Sequence, residues 1–345
     1  MPALLTHDYF GQDVLRHIDA GAGFFVRPDD EALVAELHRA FLLGCQGPDP
    51  LFFALRTPCL ARSKRFGSRM HKERAAESIE VFRRIAFDCD GSKGDVQLAY
   101  LLGFICHFVL DSTMHPLVYS FEYALCDAGV GGLDRRDGSI VHGQIEADLD
   151  AMMLRQRYRT SVRAYNYTLD MLKVSDETLT LLDAAYRAVA HEVYAVRLAP
   201  RAFSRGVRDM RLTIAALYSP RGVKRRCLGA VERLFRRHSL TQALSLRADV
   251  GVTCDFDNHE HAAWTHPFSG AVSCASFDEL YQQALATALA SLEAFMADES
   301  AASFTGGLNF EGAGAEACAG AGAVAGAEVC AGATAGAEAG ADHLQ

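Results

Sequence analysis

The chain has 345 residues, and 50% of them are hydrophobic, so it is long and apolar enough to fold around a substantial core. Its formal net charge of −9 at pH 7 does not favour a nucleic-acid partner. The N-terminal sequence lacks a basic segment followed by an apolar one, the apolar stretch 98–110 is too short to span a bilayer, and the ten Cys residues include no CxxC pair. We therefore expect a folded cytoplasmic protein with no signal peptide or transmembrane segment.

Apolar residues recur with helical spacing along most of the chain, and no convincing run alternates as a strand does. This pattern predicts an all-α protein. Asp29 or Asp30 is expected to cap its second helix. The expected helices cover about residues 8–18, 29–43, 71–88, 94–119, 140–157, 161–173, 176–195, 206–217, 222–238 and 276–297.

Three residues with metal-binding side chains precede the most apolar helix: His7, Asp49 and His71. Asp49 lies between Pro48 and Pro50, and the residue before a proline is pushed out of the α region, so a stiff turn presents its carboxylate. That arrangement suits a metal ligand or a general base, although an ordinary turn aspartate is the simpler interpretation of this residue alone. His71 is expected to lie at the start of a helix.

His107, Asp111 and His115 follow at intervals of four residues. A step of four turns an α-helix by only about 40° and advances it by about 6 Å, so all three side chains project from one face. A second helical pair, His142 and Glu146, has the same spacing, and imidazole nitrogen and carboxylate oxygen are ligands that zinc accepts. The histidines could instead be ordinary core residues. However, a charged Asp111 in so apolar a segment carries a large desolvation cost that a metal ion removes. The spacing therefore favours a hydrolase site with more than one metal ion.

The segment 221–238 is basic and amphipathic. It carries seven Lys or Arg residues and an apolar stripe formed by Val223, Cys227, Val231 and Leu234. Such a helix can lie on an anionic membrane surface. The more frequent arrangement is a solvated basic face with the stripe packed into the core, and the sequence favours that interpretation.

Two later segments differ in composition from the helices. The loop 254–270 contains metal-friendly side chains, at Asp255, Asp257, His259, His261 and His266, and is expected to cap a cleft rather than to supply ligands. From residue 311 the chain is almost entirely Ala, Gly and Glu, which cannot bury apolar area. We therefore predict a helical domain over 1–304 and a disordered, dispensable tail over 305–345.

The order and type of the candidate ligands resemble the zinc-dependent phospholipase C family, bacterial enzymes related to clostridial alpha-toxin and, more distantly, to single-strand-specific fungal nucleases. Eight positions carry the resemblance: His7, Asp49, His71, His107, Asp111, His115, His142 and Glu146. The resemblance implies an all-α fold with zinc ions in a cleft. One ion would be held by Asp49, His71, His107 and Asp111, and a second by His115, His142 and Glu146. Asp111 would bridge to a third ion shared with His7.

The chain departs from the secreted members of the family in three respects. Those enzymes begin with a Trp whose amine and carbonyl bind the third ion, whereas this chain begins with Met1 and Pro2, so either two or three zinc ions are expected. The step from Asp111 to His115 is shorter than in the secreted enzymes. The membrane-binding β-sandwich domain of the toxin has no counterpart in this sequence.

The resemblance implies an enzyme that hydrolyses a phosphodiester, in which metal-activated water attacks a phospholipid headgroup or a related substrate. Asp49 would serve either as a ligand or as the general base. Four aromatic residues lie close to the candidate ligands and could line the cleft or simply pack in the core: Phe52, Phe53, Phe66 and Tyr119. The alternatives are a nuclease-like phosphodiesterase and a non-catalytic protein that binds metal or a membrane surface. The sequence does not predict the oligomeric state.

Overall fold

The computed structural model describes residues 4–20, 30–55 and 60–314. Over these ranges the chain is mostly α-helical, its longest connections (159–175 and 244–276) are largely irregular, and its only strands, of two residues each, form one hairpin, which confirms the all-α prediction. The strands are β1 (Trp264–Thr265) and β2 (Val272–Ser273). The helices are α1 (Leu4–Ala20), α2 (Glu31–Gly44), α3 (Leu60–Lys72), α4 (Ala75–Phe87), α5 (Ser92–Ala128), α6 (Gly138–Tyr158), α7 (Asp176–Glu192), α8 (Ala202–Leu217), α9 (Val223–Glu232), α10 (Leu240–Ala243), α11 (Phe277–Met296) and α12 (Ala301–Thr305).

Helix α5 is the centre of the fold. It is 37 residues long and packs against α2, α4, α6 and α11. By length and composition alone it could cross a membrane, the only described helix for which this is true. Its apolar side chains, from Val96 to Leu125, are instead buried among the surrounding helices, as expected for the core helix of a globular fold.

Most predicted helices are present, but the expected helix over 71–88 is two helices. The chain breaks at Arg74, whose φ of 60° is left-handed and cannot continue an α-helix. His71 therefore lies in the last turn of α3 and not at the start of a helix. Of the two caps considered for α2, Asp30 accepts hydrogen bonds from the backbone N–H groups of Ala32 and Leu33, while Asp29 lies outside the described residues.

The helix predicted over 161–173 is wrong. Helix α6 ends at Tyr158, Arg159 adopts a left-handed φ of 53°, and the following chain forms turns with one short 3-10 segment. The side chain of Asn166 accepts hydrogen bonds from the backbone N–H and the hydroxyl of Thr168. Local side-chain hydrogen bonds of this kind compete with the helical ladder, which explains why apolar spacing alone was misleading here.

The first ten residues of the predicted disordered tail are ordered. Phe310 is fully buried, its backbone N–H donates to the carbonyl of His71, and the Asn309 side chain donates to the carbonyl of Lys72. The prediction is therefore wrong for 305–314, because a single bulky apolar residue there has a core to enter. Residues 315–345 lie outside the described part of the chain.

Candidate metal centre

The three residues spaced by four on α5 meet on one buried face, as the helical geometry predicts. His107 Nε2 lies 3.1 Å from Asp111 Oδ2, and His115 Nε2 lies 3.5 Å from Asp111 Oδ1. Asp111 thus stands between two imidazoles, with one carboxylate oxygen toward each. None of the three side chains is more than a tenth exposed.

Helix α6 brings a second pair of ligand-type residues against this face. His142 Nε2 lies 3.3 Å from Glu146 Oε1, and the same oxygen lies 3.6 Å from His115 Nε2 on α5. The two predicted helical pairs are therefore parts of a single centre. The Glu146 carboxylate lies between His142 and His115, as the Asp111 carboxylate lies between His107 and His115.

The other three predicted residues come from earlier parts of the chain and join the same centre. His7 on α1 places Nε2 3.0 Å from Asp111 Oδ1. His71 Nε2 lies 3.0 Å from Asp49 Oδ1 and 3.9 Å from Asp111 Oδ2. Asp49 begins a 3-10 turn that follows α2, so the expectation that Pro50 pushes it out of the helical region is wrong, although this turn does present its carboxylate to His71.

The turn at 45–50 is shaped around His107. The carbonyl of Cys45 lies 3.1 Å from His107 Nδ1. Gly47 has a left-handed φ of 48°, and a Cβ atom at this position would overlap the His107 ring. A glycine is therefore needed both for the backbone conformation and for the close approach of the imidazole.

The candidate ligands form three groups whose donor atoms lie within 4.8 Å of one another. Each group is fully buried; the first two share His107, and His115 of the third lies 3.5 Å from Asp111. None of the metal-friendly residues of loop 254–270 belongs to such a group in the described part of the chain. The groups are His7, His107 and Asp111; Asp49, His71 and His107; and His115, His142 and Glu146.

Besides His107, three more imidazoles are oriented by a hydrogen bond at Nδ1. The Nδ1 atom of His71 lies 2.8 Å from the Gly67 carbonyl, and that of His115 lies 2.8 Å from the Phe310 carbonyl. A carbonyl oxygen only accepts, so Nδ1 must carry the proton, and in the neutral ring the lone pair is then on Nε2. Because Nε2 faces the carboxylates in each case, the donor set fits a zinc ion.

Glu122 orients the third imidazole, and sequence reasoning did not identify it. Its Oε2 atom lies 2.9 Å from His142 Nδ1, and the side chain is buried. Glu122 lies seven residues after His115, about two helical turns along the same face of α5, so continuing the helical row could have found it.

The buried carboxylates of this centre need positive charge nearby, and the pKa values of the centre show where that charge comes from. Burial raises the pKa of Asp111, but the imidazoles of His107, His115 and His7 outweigh this effect and hold it well below the usual range. Burial lowers the pKa of His142, but the Glu146 and Glu122 carboxylates raise it to about 9. At neutral pH a protonated His142 therefore supplies positive charge that a bound metal ion would replace.

The centre forms the floor of an open cleft of about 500 Å³. Phe52 and Tyr119 line this cleft, while Phe53 and Phe66 are buried outside it. Residues that sequence reasoning did not single out complete the walls: Lys64, Ser68, Lys72, Glu122 and Glu311. The predicted capping loop contacts the cleft through Phe268, whose ring lies edge-on to Tyr119 at a centroid distance of 5.5 Å.

Comparison with known proteins gives one family. The model of a family described as zinc dependent phospholipase C matches residues 6–196, more than half of the chain. The matched segment contains all eight candidate ligands and ends before α8. No curated protein and no solved structure matches the chain.

Proposed function

The chain belongs to the zinc-dependent phospholipase C family, and from this premise we propose that it hydrolyses the phosphodiester of a phospholipid headgroup or a related compound. The observation that carries this proposal is the convergence of buried ligand-type residues, around Asp111, at the floor of an open cleft. Structural zinc sites are closed by protein ligands, whereas catalytic sites keep access for water and substrate. The open cleft therefore favours an enzyme over a protein that only binds metal.

We propose that the three buried groups hold two or three zinc ions, with Asp111 between them. Bound zinc would supply Lewis acidity, which polarises a phosphodiester and lowers the pKa of a water ligand. The His71 imidazole outweighs the effect of burial and lowers the pKa of Asp49. Asp49 is therefore ionised at neutral pH, and it can either bind an ion or accept a proton from the attacking water.

The cleft walls suggest how an anionic substrate is positioned. Lys64, Ser68 and Lys72 are spaced by four on α3 and line one side of the cleft. Lysine is a common phosphate-binding residue, so this wall would attract a phosphodiester and direct it toward the ligand groups. Phe52 and Tyr119 add apolar surface for the attached group.

The test is a substrate panel run on protein of measured zinc content. The panel contains a soluble chromogenic phosphodiester, a phospholipid in detergent micelles and single-stranded DNA. We expect at least two zinc ions per chain and turnover of the first two substrates. Turnover of DNA alone would identify a nuclease. No turnover by fully loaded protein would identify a non-catalytic metal-binding protein.

A further inference from the structure

Helix α9 and the turn that follows it expose an unusual amount of apolar surface. The exposed fractions are 55% for Val223, 58% for Val231, 77% for Leu234 and 84% for Phe235. Cys227 is also exposed. The interpretation that this stripe packs into the core is therefore wrong, although it was the one that the sequence favoured.

The stripe lies on the side of α9 that faces away from the protein. The inner side is formed by Arg225, Gly229 and Glu232: Gly229 is buried against the Gln242 side chain, and Glu232 accepts from the backbone N–H of Thr241. At about 100° per residue, the stripe residues at 223, 227 and 231 project roughly half a turn away from this inner side. Packing against α10 therefore fixes the helix and leaves its apolar stripe in solvent.

Basic residues flank this stripe. The segment 221–238 contains seven Lys or Arg residues and a single acidic residue, Glu232, which faces inward. Lys224, Arg226 and Arg236 are exposed beside the apolar side chains. This concentration of positive charge stands out on a chain whose formal net charge is −9. Exposed apolar residues surrounded by cations match the surface of an anionic bilayer, with acyl chains below and negative headgroups above.

Helix α10 lies between this segment and the cleft of the candidate metal centre. Helix α9 packs on α10, and Leu240 of α10 lines the cleft together with Leu244. Residues that line the cleft are therefore only one helix away from the segment that would contact a bilayer.

We propose that α9 and the turn at 233–235, here called the docking face, bind an anionic lipid bilayer and place the cleft at its surface. This inference deepens the proposed function, on which its biological purpose rests, but the binding itself is independent of catalysis. The docking face lies outside the segment that the family model matches, which ends at residue 196.

Vesicle binding tests the docking face directly. The zinc-loaded full-length protein is mixed with vesicles of phosphatidylcholine, with or without phosphatidylglycerol, and sedimented. We expect binding to the mixed vesicles only, weakened by added salt. Phe235→Asp should lower the partition coefficient about tenfold or more because an apolar anchor is lost. Arg226→Glu should lower it about fivefold or more, since each basic residue near the surface contributes about that factor.

Matched controls separate this surface from general effects of charge and hydrophobicity. Phe87→Asp changes another exposed aromatic residue, 63% exposed at the end of α4, and Arg62→Glu changes an exposed cation on α3. Both should bind vesicles like the wild type. Equal losses in the control and test variants would overturn the proposal.

Two other results would also decide against the docking face. The first is wild-type protein that fails to sediment with anionic vesicles at low salt. The second is a dimer in light scattering that Phe235→Asp disperses, because the occupant would then be a second copy of the chain. All of these variants should hydrolyse a soluble phosphodiester normally. Vesicle binding without any turnover would therefore reject the proposed activity and leave the docking face standing.

Discussion

At the scale of single residues, Asp111 is the carboxylate that three candidate ligands of the centre contact. His7 and His115 face one of its oxygens, and His107 faces the other. Its burial would be costly for an isolated carboxylate, but three imidazoles and the ions that we propose compensate its charge. The side chain therefore acts mainly through its negative charge, which an isosteric substitution can remove.

Asp111→Asn should cost at least one zinc ion per chain and nearly all turnover of a soluble phosphodiester, while the helical content stays close to that of the wild type. The amide keeps the size of the side chain but cannot offset the positive charge of clustered cations. Zinc is measured by elemental analysis and helicity by circular dichroism. Asp255→Asn, in the loop that belongs to none of the ligand groups, is the matched control and should retain both zinc and activity. Wild-type zinc content and turnover in Asp111→Asn would show that the charge of Asp111 is not needed to hold the ions.

The raised pKa of His142 predicts opposite pH trends for stability and for zinc binding. A histidine whose folded pKa lies above its unfolded value stabilises the metal-free fold fully below about pH 6.5, and this contribution is lost as pH rises toward about 9. Zinc needs the deprotonated ring, so its affinity should increase over the same interval. Chemical denaturation of the metal-free protein and zinc titration, each repeated between pH 6 and 9, measure the two trends.

Glu122→Gln supplies the control for this pH effect. The amide cannot stabilise the imidazolium as a carboxylate does, so the pKa of His142 should fall and both trends should move to lower pH. Calorimetric zinc titration in buffers of different ionisation enthalpy should then show fewer protons released at neutral pH. An unchanged proton count would mean that Glu122 does not set the protonation of His142.

The candidate ligands were predictable because their signal is local. Spacing by four fixes the face of a helix regardless of the surrounding fold, and the two prolines beside Asp49 mark a turn that presents its side chain. Glu311 and the carbonyl of Phe310 gave no such signal. They reach the centre from nearly 200 residues away in sequence, within a stretch whose composition is typical of disorder.

At the scale of elements, the segment Leu308–Gly314, here called the C-terminal clasp, connects two candidate ligands. Phe310 accepts from His115 Nδ1 through its carbonyl, and its N–H donates to the carbonyl of His71. Gly312, with a φ of 78°, lies against the carbonyl of Ser112, where a Cβ atom would collide. That carbonyl has no helical donor because Pro116 lacks an N–H. Gly312 thus meets a steric requirement that composition alone does not reveal.

Shortening the chain tests the clasp. A chain ending at Ser303 should bind zinc at the His115 group at least about tenfold more weakly, because His115 loses the carbonyl of Phe310 that accepts from its Nδ1. It should also melt several degrees lower because the buried Phe310 ring is lost. A chain ending at Gly314 keeps every described contact and is the control. Equal zinc affinity and melting temperature in the two shortened chains would show that the clasp is dispensable, as the composition had suggested.

Changing a residue of α3 that lines the cleft should affect substrate binding and not the chemical step. Lys64→Gln should raise KM for an anionic phosphodiester severalfold with little change in kcat, because Lys64 lines the cleft but belongs to none of the metal-binding groups. Zinc content should not change. Arg65→Gln, the adjacent exposed cation that does not line the cleft, is the control. A fall in kcat at constant KM would place Lys64 in the chemical step.

At the scale of the whole molecule, the centre draws on five separate parts of the chain: α1, the turn after α2, α3, α5 and α6. The local pattern predicted α1, α5, α6 and the turn after α2 but not α3, and it did not predict how these parts approach one another, which depends on long-range packing against α5. The break at Arg74, which separates α3 from α4, has no counterpart in the apolar pattern, so His71 was expected at the start of a helix instead of near the end of one. A centre built across so many elements joins metal binding to the stability of the fold.

Removing zinc should therefore destabilise the whole domain. A ligand present at a thousand times its dissociation constant stabilises the folded state by about 4 kcal/mol, which for a domain of this size corresponds to a melting shift on the order of 10 °C. Scanning calorimetry before and after chelation measures the shift. Asp111→Asn should show a clearly smaller shift because it binds fewer ions, whereas Asp255→Asn should match the wild type. If chelation removes the zinc and leaves the melting temperature unchanged, the ions do not connect these elements, and the packing around α5 alone maintains the cleft.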